Sequence, residues 1–250
     1  GIRNALRYQL SNLYDFDPDK DVISFDQMRP LDRWILARYS ALESEVQAAY
    51  EASEFHLVYQ SVTRFVSVEL SAIYHDLVKD RLYCDAPDAP RRRSSQSALY
   101  VLVRRFARLL SPILVFTTDE AWEFLPQASE ASCIHLETLE SVSFALDAAE
   151  EADWEPLFAW REPALASLEA ARRDKVIGKA LEAVVALRVE SEQLANAERL
   201  ADRFAEMLNV SSVVFTDQET LTIGDHRIAL DSPVAAQAVH ASAVQATKCA

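Results

Sequence analysis

The sequence predicts a mostly α-helical chain, a helical bundle followed by a small α/β domain, and three observations lead there. In the first half, apolar residues recur every three or four positions over long stretches, the spacing that lines one face of a helix. In the last third, β-branched runs between turn residues flank a helical pattern, which reads as a small mixed unit. Between them lies a stretch rich in Ala, Ser and acids without a sustained period, as surface connections read. The chain has 250 residues, half of them hydrophobic, enough for two cores. The expected boundaries are a bundle over 1–126, a connection over 127–153, and a helix plus small α/β domain over 154–250.

Residues 2–13 place Ile2, Leu6, Leu10 and Leu13 on one helical face and Arg3, Asn4 and Arg7 on the other. An Asp-rich linker, 15–21, holds Pro18 in its middle. A second helix is expected over 31–52 through Leu31, Ile35, Tyr39, Leu42, Val46 and Tyr50, with Pro30 near its first turn. The third spans about 54–83. Its apolar stripe, from Phe55 to Val78, is wide enough to imply neighbours on two sides. Pro87 and Pro90 are expected to end it. A fourth helix, about 94–110, turns Leu99, Leu102, Val103, Phe106, Leu109 and Leu110 inward until Ser111 and Pro112 interrupt it. Thr117 and Glu120 fit a capping box for a short helix ending near Leu125, with Pro126 as its stop.

Beyond the connection, a helix is expected over about 155–176, with Gly178 as a left-handed cap. Then follow a strand over 180–190, a helix over 194–208, and short strands over 211–216, 220–223 and 227–230.

Several function classes fall away on composition. Glycine occurs three times, too rarely for a phosphate-cradling loop. The five histidines are scattered, without the His-Glu-x-x-His spacing of a zinc helix, and no Gly-x-Ser-x-Gly elbow occurs. The acids Asp76, Asp80 and Asp85 read as helix-face charges. The sequence therefore offers no catalytic residues. Cys84, Cys133 and Cys249 are widely spaced and odd in number, which suits reduced thiols in a cytoplasmic protein. No apolar run reaches the roughly 18–20 residues of a membrane span, so no membrane partner is expected.

Charge is the informative feature. The chain's formal net charge is −14, yet six arginines lie between Arg91 and Arg108 with no acid before Asp119. Arg91, Arg92 and Arg93 open a helix, where the dipole adds to the pull on an anion. Guanidinium groups bind phosphates in two-pronged fashion. The bland alternative pairs these arginines with Asp80, Asp85 and Asp88 of the preceding helix. Arg104, Arg105 and Arg108 read as surface salt-bridge partners. Recognition of unstacked RNA bases needs exposed planar groups beside amides. Arg3, Asn4 and Arg7 on the first helix, and Gln96 beside Arg93 on the fourth, supply that combination. Trp34 reads as core.

The string Tyr74-His-Asp-Leu-Val-Lys-Asp-Arg-Leu-Tyr-Cys-Asp85, followed by Arg91, Arg92 and Arg93, resembles the anticodon-binding helical domain of bacterial-type isoleucyl-tRNA synthetases. The likeness continues in order through IRNALRYQLSNLYDFDP, LDRWILARY, RRRSSQSALYVLVRRFARLLSPILVFTTDEAWEFLP and WEPLFAWREPALASLEAARRDKVIGKALEAVVAL. Valyl and leucyl relatives share the bundle plan. Lys179 and Ala180 depart from it, where small hydroxyl residues usually follow the glycine, and Gly1 replaces an expected basic residue. Lys248, Cys249 and Ala250 look like the start of the family's zinc module, with Cys249 as its first ligand and the remainder absent.

The resemblance implies tRNA-binding residues Arg3, Asn4, Arg7, Arg91, Arg92, Arg93 and Gln96, acting on the anticodon stem and loop of tRNA(Ile), with no DNA partner. It implies a parent class I ligase that uses ATP with Mg and zinc, catalytic and editing domains in the same chain, no cofactor in this segment, and a segment inactive alone. The alternative is a non-catalytic helical protein-interaction domain with an α/β appendage.

Overall fold

The computed structural model of the chain describes residues 1–126, 133–138, 143–224, 226–232 and 234–241. It divides into two compact units, Gly1–Leu146 and Asp147–Ala250.

Unit 1 is helical. Helix α1 (Ile2–Ser11) buries Ala5, Leu6 and Gln9. Within the Asp-rich linker a short helix, α2 (Pro18–Asp21), starts where the Asp17 side chain accepts from the Asp19 N–H. Helix α3 (Pro30–Glu51) begins with Pro30 in its first turn, where a missing N–H costs nothing.

The expected third helix is α4 (Phe55–Arg64) continued by a π-helical stretch, Phe65–His75, and then by α5 (Lys79–Tyr83). The π stretch closes i→i+5 hydrogen bonds, so residues five apart align. Phe65, Leu70 and His75 are accordingly all buried. This wider turn accounts for part of the broad apolar stripe. Its N-terminal edge is not covered, because Phe55 and Tyr59 are exposed at 55% and 67%.

Helix α6 (Pro90–Leu110) starts earlier than the periodicity indicated, with Pro90 opening it rather than closing its predecessor. It is the central strut, with Leu99, Leu102, Val103, Phe106, Leu109 and Leu110 each at most 1% exposed. Tyr39, Phe65 and Phe106 meet with ring centroids 6.1 to 6.3 Å apart. Helix α7 (Val115–Glu123) also begins early, after Leu114, so Thr117 lies inside it. The expected capping box does not form. Thr118 instead donates back to the Leu114 carbonyl at 3.0 Å. In the expected connection, a 3-10 turn at Ile134–Leu136 buries Ile134.

Unit 2 begins with α8 (Ala148–Arg173), capped by the Asp147 side chain and containing Pro156 and Pro163. Its left-handed residue is Lys175 (φ 58), not Gly178. Gly178 serves differently: its N–H donates to Glu182 Oε2 at 2.8 Å. After a 3-10 turn at Ala180–Glu182 come β1 (Ala183–Arg188), α9 (Ser191–Leu208), β2 (Ser212–Thr216), β3 (Thr220–Ile223), β4 (His226–Ala229) and β5 (Ala236–His240).

Strand β1 is central, parallel to β2 and antiparallel to β5. Helices α8 and α9 pack against this sheet. Trp160, Phe204 and Phe215 form an aromatic cluster, with Trp160 and Phe215 centroids 4.9 Å apart. Val184 and Ala186 instead join Ile223, Ile228 and Leu230 from the β3–β4 hairpin region. Because both faces of β1 are covered, its residues are apolar throughout rather than alternating.

Candidate nucleic-acid interface

The arginine run at the start of α6 faces a different way from the one its sequence suggests. Arg91 makes a two-pronged ion pair with Asp85, at 2.8 and 2.6 Å, and its side chain stays 43% exposed. Arg92 is buried. It donates to the Leu82 carbonyl at 2.7 Å, to Asp15 Oδ2 at 2.8 Å and to the Tyr14 hydroxyl at 3.1 Å, with its guanidinium 5.8 Å from the Tyr14 ring centroid. Arg93 donates to the Asp15 carbonyl at 2.9 Å and to Gln96 Oε1 at 2.8 Å, and lies 3.4 Å from Asp21. Gln96 is fully buried, donating to the Asn12 carbonyl at 2.9 Å and to Asp15 Oδ1 at 2.7 Å.

The serines that follow complete this fastening. Ser97 Oγ accepts the Ile23 N–H at 2.9 Å and Ser94 Oγ accepts the Arg29 N–H at 2.8 Å. The segment 92–97 thus ties the Asp-rich linker to α6. Two carboxylates show it. Burial pushes Asp15 up, but hydrogen bonds from Gln96 and Arg92 outweigh it and hold the group below the usual range. Hydrogen bonding from Arg91 likewise holds Asp85 low. Asp85 was among the acids expected to pair with these arginines. Asp15 and Asp21 were not, because nothing local in sequence links them to α6.

The family-like string also points inward. Asp32, at 0% exposure, accepts from the Tyr74 hydroxyl at 2.7 Å, from Ser94 Oγ at 2.6 Å and from Ser95 Oγ at 3.1 Å, and pairs with Arg81 at 3.3 Å. Tyr74 and Arg81, members of that string, are therefore parts of a buried polar clamp. Arg105 and Arg108, expected at the surface, are buried too. Arg105 pairs with the buried Glu43 and stacks 5.1 Å from the Phe144 ring centroid, while Arg108 lies 5.6 Å from the Trp122 centroid. Arginine in an interior needs a carboxylate or an aromatic face, and this acidic chain supplies both. Trp34 is core, at 5% exposure.

The outward cations sit on α1. Arg3, Asn4 and Arg7 are exposed as expected. Arg3 and Arg7 line a groove of about 380 Å³ between α1 and α7, floored by Leu6, Leu10 and Ala121 and edged by Phe124. Arg3 crosses it to Glu120 at 2.7 Å. At 66% and 49% exposure such a pair is weak and readily exchanged for a phosphate. Phe116 on α7 and Phe124 just past its end, at 87% and 69% exposure, supply flat apolar surfaces. Nothing in the helical spacing marks these two phenylalanines as exposed. The sequence-expected set therefore divides into Arg3, Asn4, Arg7 and Arg91, which reach solvent, and Arg92, Arg93 and Gln96, which are committed to the linker.

No group of three or more His, Cys, Asp or Glu residues able to hold a metal occurs among the described residues. Cys249 lies outside them. No helix among them is long and apolar enough to cross a membrane.

Unit 1 is thus a helical bundle whose first helix presents cations beside exposed aromatics. The family described as the anticodon-binding domain of tRNA ligase matches residues 32–187. The chain belongs to that family. It is 40% identical over 220 residues to an isoleucine-tRNA ligase of Geobacter sulfurreducens, covering 87% of this chain and 23% of that protein. It is 37% identical over 219 residues to the isoleucine-tRNA ligase of Carboxydothermus hydrogenoformans, covering 87% and 24%. With the isoleucine-tRNA ligase of Natranaerobius thermophilus it shares 34% identity over 249 residues, 99% of this chain and 27% of that protein. The chain thus spans about a quarter of the length of the curated relatives it matches.

Proposed function

We propose that this chain is the anticodon-end RNA-binding region of an isoleucine-tRNA ligase, in which it holds the anticodon stem and loop of tRNA(Ile). The observation that supports this reading most is the extent of the likeness, 87 to 99% of the chain against proteins named isoleucine-tRNA ligase. The parent would join isoleucine to its tRNA with ATP and Mg, as a class I cytoplasmic enzyme whose catalytic and editing domains lie outside this segment. Cys249 would be the first ligand of its zinc module. The segment alone is inactive on this reading.

Within it, Arg3, Arg7 and Arg91 would contact phosphates, and Asn4 would offer an amide to a base edge. Arg92, Arg93 and Gln96 would act through the linker they hold. The interaction-domain alternative draws support from the exposed Phe116 and Phe124. Binding of a tRNA(Ile) transcript and of an anticodon-swapped transcript to the 250-residue chain separates the two. The expected outcome is tighter binding of the natural anticodon, by about tenfold or about 1.4 kcal/mol. Equal affinity for both would remove the anticodon assignment, and no binding of either would favour the interaction domain.

A further inference from the structure

The groove between α1 and α7 has two unlike walls. The α1 wall is cationic: residues 1–14 hold Arg3 and Arg7 and no acid, in a chain whose formal net charge is −14. The other wall is acidic and aromatic, with Glu120 and Phe124 lining it. Leu6 and Ala121, 2% and 7% exposed, make the apolar floor between them. At about 380 Å³ the space is in the range of ligand sites, which combine apolar linings with a few polar groups.

Both walls are held from behind. Trp122 and Leu125, which flank the Phe124 turn, are buried, and the Leu125 N–H donates to the Trp122 carbonyl at 3.1 Å. Ala5 and Leu6, both buried, fasten α1 in the same way. Phe124 nevertheless stays 69% exposed and has no ring partner among the described residues. Arg7 likewise makes no ion pair among them. A groove with fixed walls loses little freedom when a ligand enters, and this one presents an aromatic face and a cation that the fold itself does not use.

The asymmetry selects the occupant. An acidic peptide would suit Arg3 and Arg7 but would meet the Glu120 carboxylate on the opposite wall. A nucleotide carries its charge on one side and a flat base with N–H donors on the other, which matches the two walls.

We propose that the groove takes in one unstacked RNA base, laid on the face of Phe124, with its adjoining phosphate on Arg3 and Arg7. Arg3 leaves Glu120 for the phosphate, and the freed carboxylate accepts an N–H of the base edge. The proposal rests on the RNA-binding reading and adds a base contact on the α7 side to the phosphate contacts of α1.

The test measures binding of a tRNA(Ile) transcript to the 250-residue chain by fluorescence anisotropy over a range of KCl concentrations. Phe124→Leu keeps apolar bulk but removes the flat face, Phe124→Tyr keeps the face, and Phe116→Leu removes an exposed ring that does not line the groove. Each variant is paired with a thermal melt. Phe124→Leu is expected to weaken binding by about five- to a hundredfold, the span for one lost base stack. Its slope of log K against log[KCl] is expected to stay that of the natural chain, because no phosphate contact is lost. Phe124→Tyr and Phe116→Leu are expected to bind as the natural chain does. Natural affinity in a folded Phe124→Leu would overturn the groove assignment and leave the RNA-binding reading standing. An equal loss in Phe124→Tyr or in Phe116→Leu would overturn it too, the first by showing that the flat face is not what counts and the second by showing a general apolar effect. Failure of the natural chain to bind at any salt concentration would remove both readings together.

Discussion

Arg92 and Arg105 on α6 are buried, with carboxylates at Asp15 and Glu43 as partners, whereas Lys175 and Lys179 stand exposed on a loop braced from behind. Both groups appear in sequence as runs of positive charge in an acidic chain. The difference lies in what surrounds them. Taking a guanidinium out of water costs several kcal/mol unless a carboxylate and further acceptors replace the solvent. For α6 those partners come from the linker and from α3, 62 to 77 residues away. Among the described residues Lys175 and Lys179 of unit 2 have no carboxylate in ion-pair contact, and Glu182, whose charge Lys179 feels, accepts the backbone N–H groups of Gly178 and Lys179. A surplus of acid in the chain as a whole therefore does not decide where cations stay free. Local packing decides it.

The largest effect that would sharpen this contrast is at Asp32. Asp32→Ala removes the acceptor for Tyr74, Ser94 and Ser95 and the carboxylate paired with the buried Arg81. Urea unfolding is expected to show a loss of about 3–5 kcal/mol. A loss below about 1 kcal/mol would mean that the inward arginines are not structural, and the contrast would fail.

A second test uses pH. The same interior holds His75 with no carboxylate partner among the described residues. Burial, followed by the charge of Lys79, lowers its pKa to about 3. Folded His75 is thus neutral where the unfolded chain would protonate it. Its contribution to stability is complete above pH 6.5 and is lost as pH falls from there toward 3, at about 1.4 kcal/mol per pH unit once below about 6. Asp15 and Asp85 lie below their ordinary range, so the stability they add is kept down to about pH 5 and is lost progressively below it. Chemical unfolding between pH 6.5 and 4.5 should therefore show a decline that His75→Gln flattens. An equal decline in the variant would place its source elsewhere.

How much of this was legible in the sequence depended on range. Periodicity located α3 within a residue at either end, because twenty-two residues of repeating apolar positions leave little room for another period. The inward face of α6 was equally readable. Strand β5 was not anticipated, since its Ala-Gln-Ala-Val-His sequence has little strand preference and pairs only because β1 lies beside it. Thr117 mimicked a capping residue because the motif is short, while the helix is capped at Leu114, three residues earlier. The site was half legible. The exposed face of α1 follows from helical spacing, so Arg3, Asn4 and Arg7 could be placed from the residues alone. The inward turn of Arg92, Gln96 and Arg105 could not, since their partners are fixed by tertiary packing. The exposure of Phe116 and Phe124 is not legible in sequence, because spacing does not encode whether an aromatic residue is covered.

On the proposed reading RNA is held by the cations that face solvent, Arg91 among them, while the inward arginines of α6 hold the fold. The salt dependence of tRNA(Ile) transcript binding to the Arg3→Ala/Arg7→Ala double variant tests it most directly. The expected result is an unfolding midpoint within a few degrees of the natural chain and a slope flatter by about 1.4 to 1.8. A folded double variant with the natural slope and affinity would contradict it.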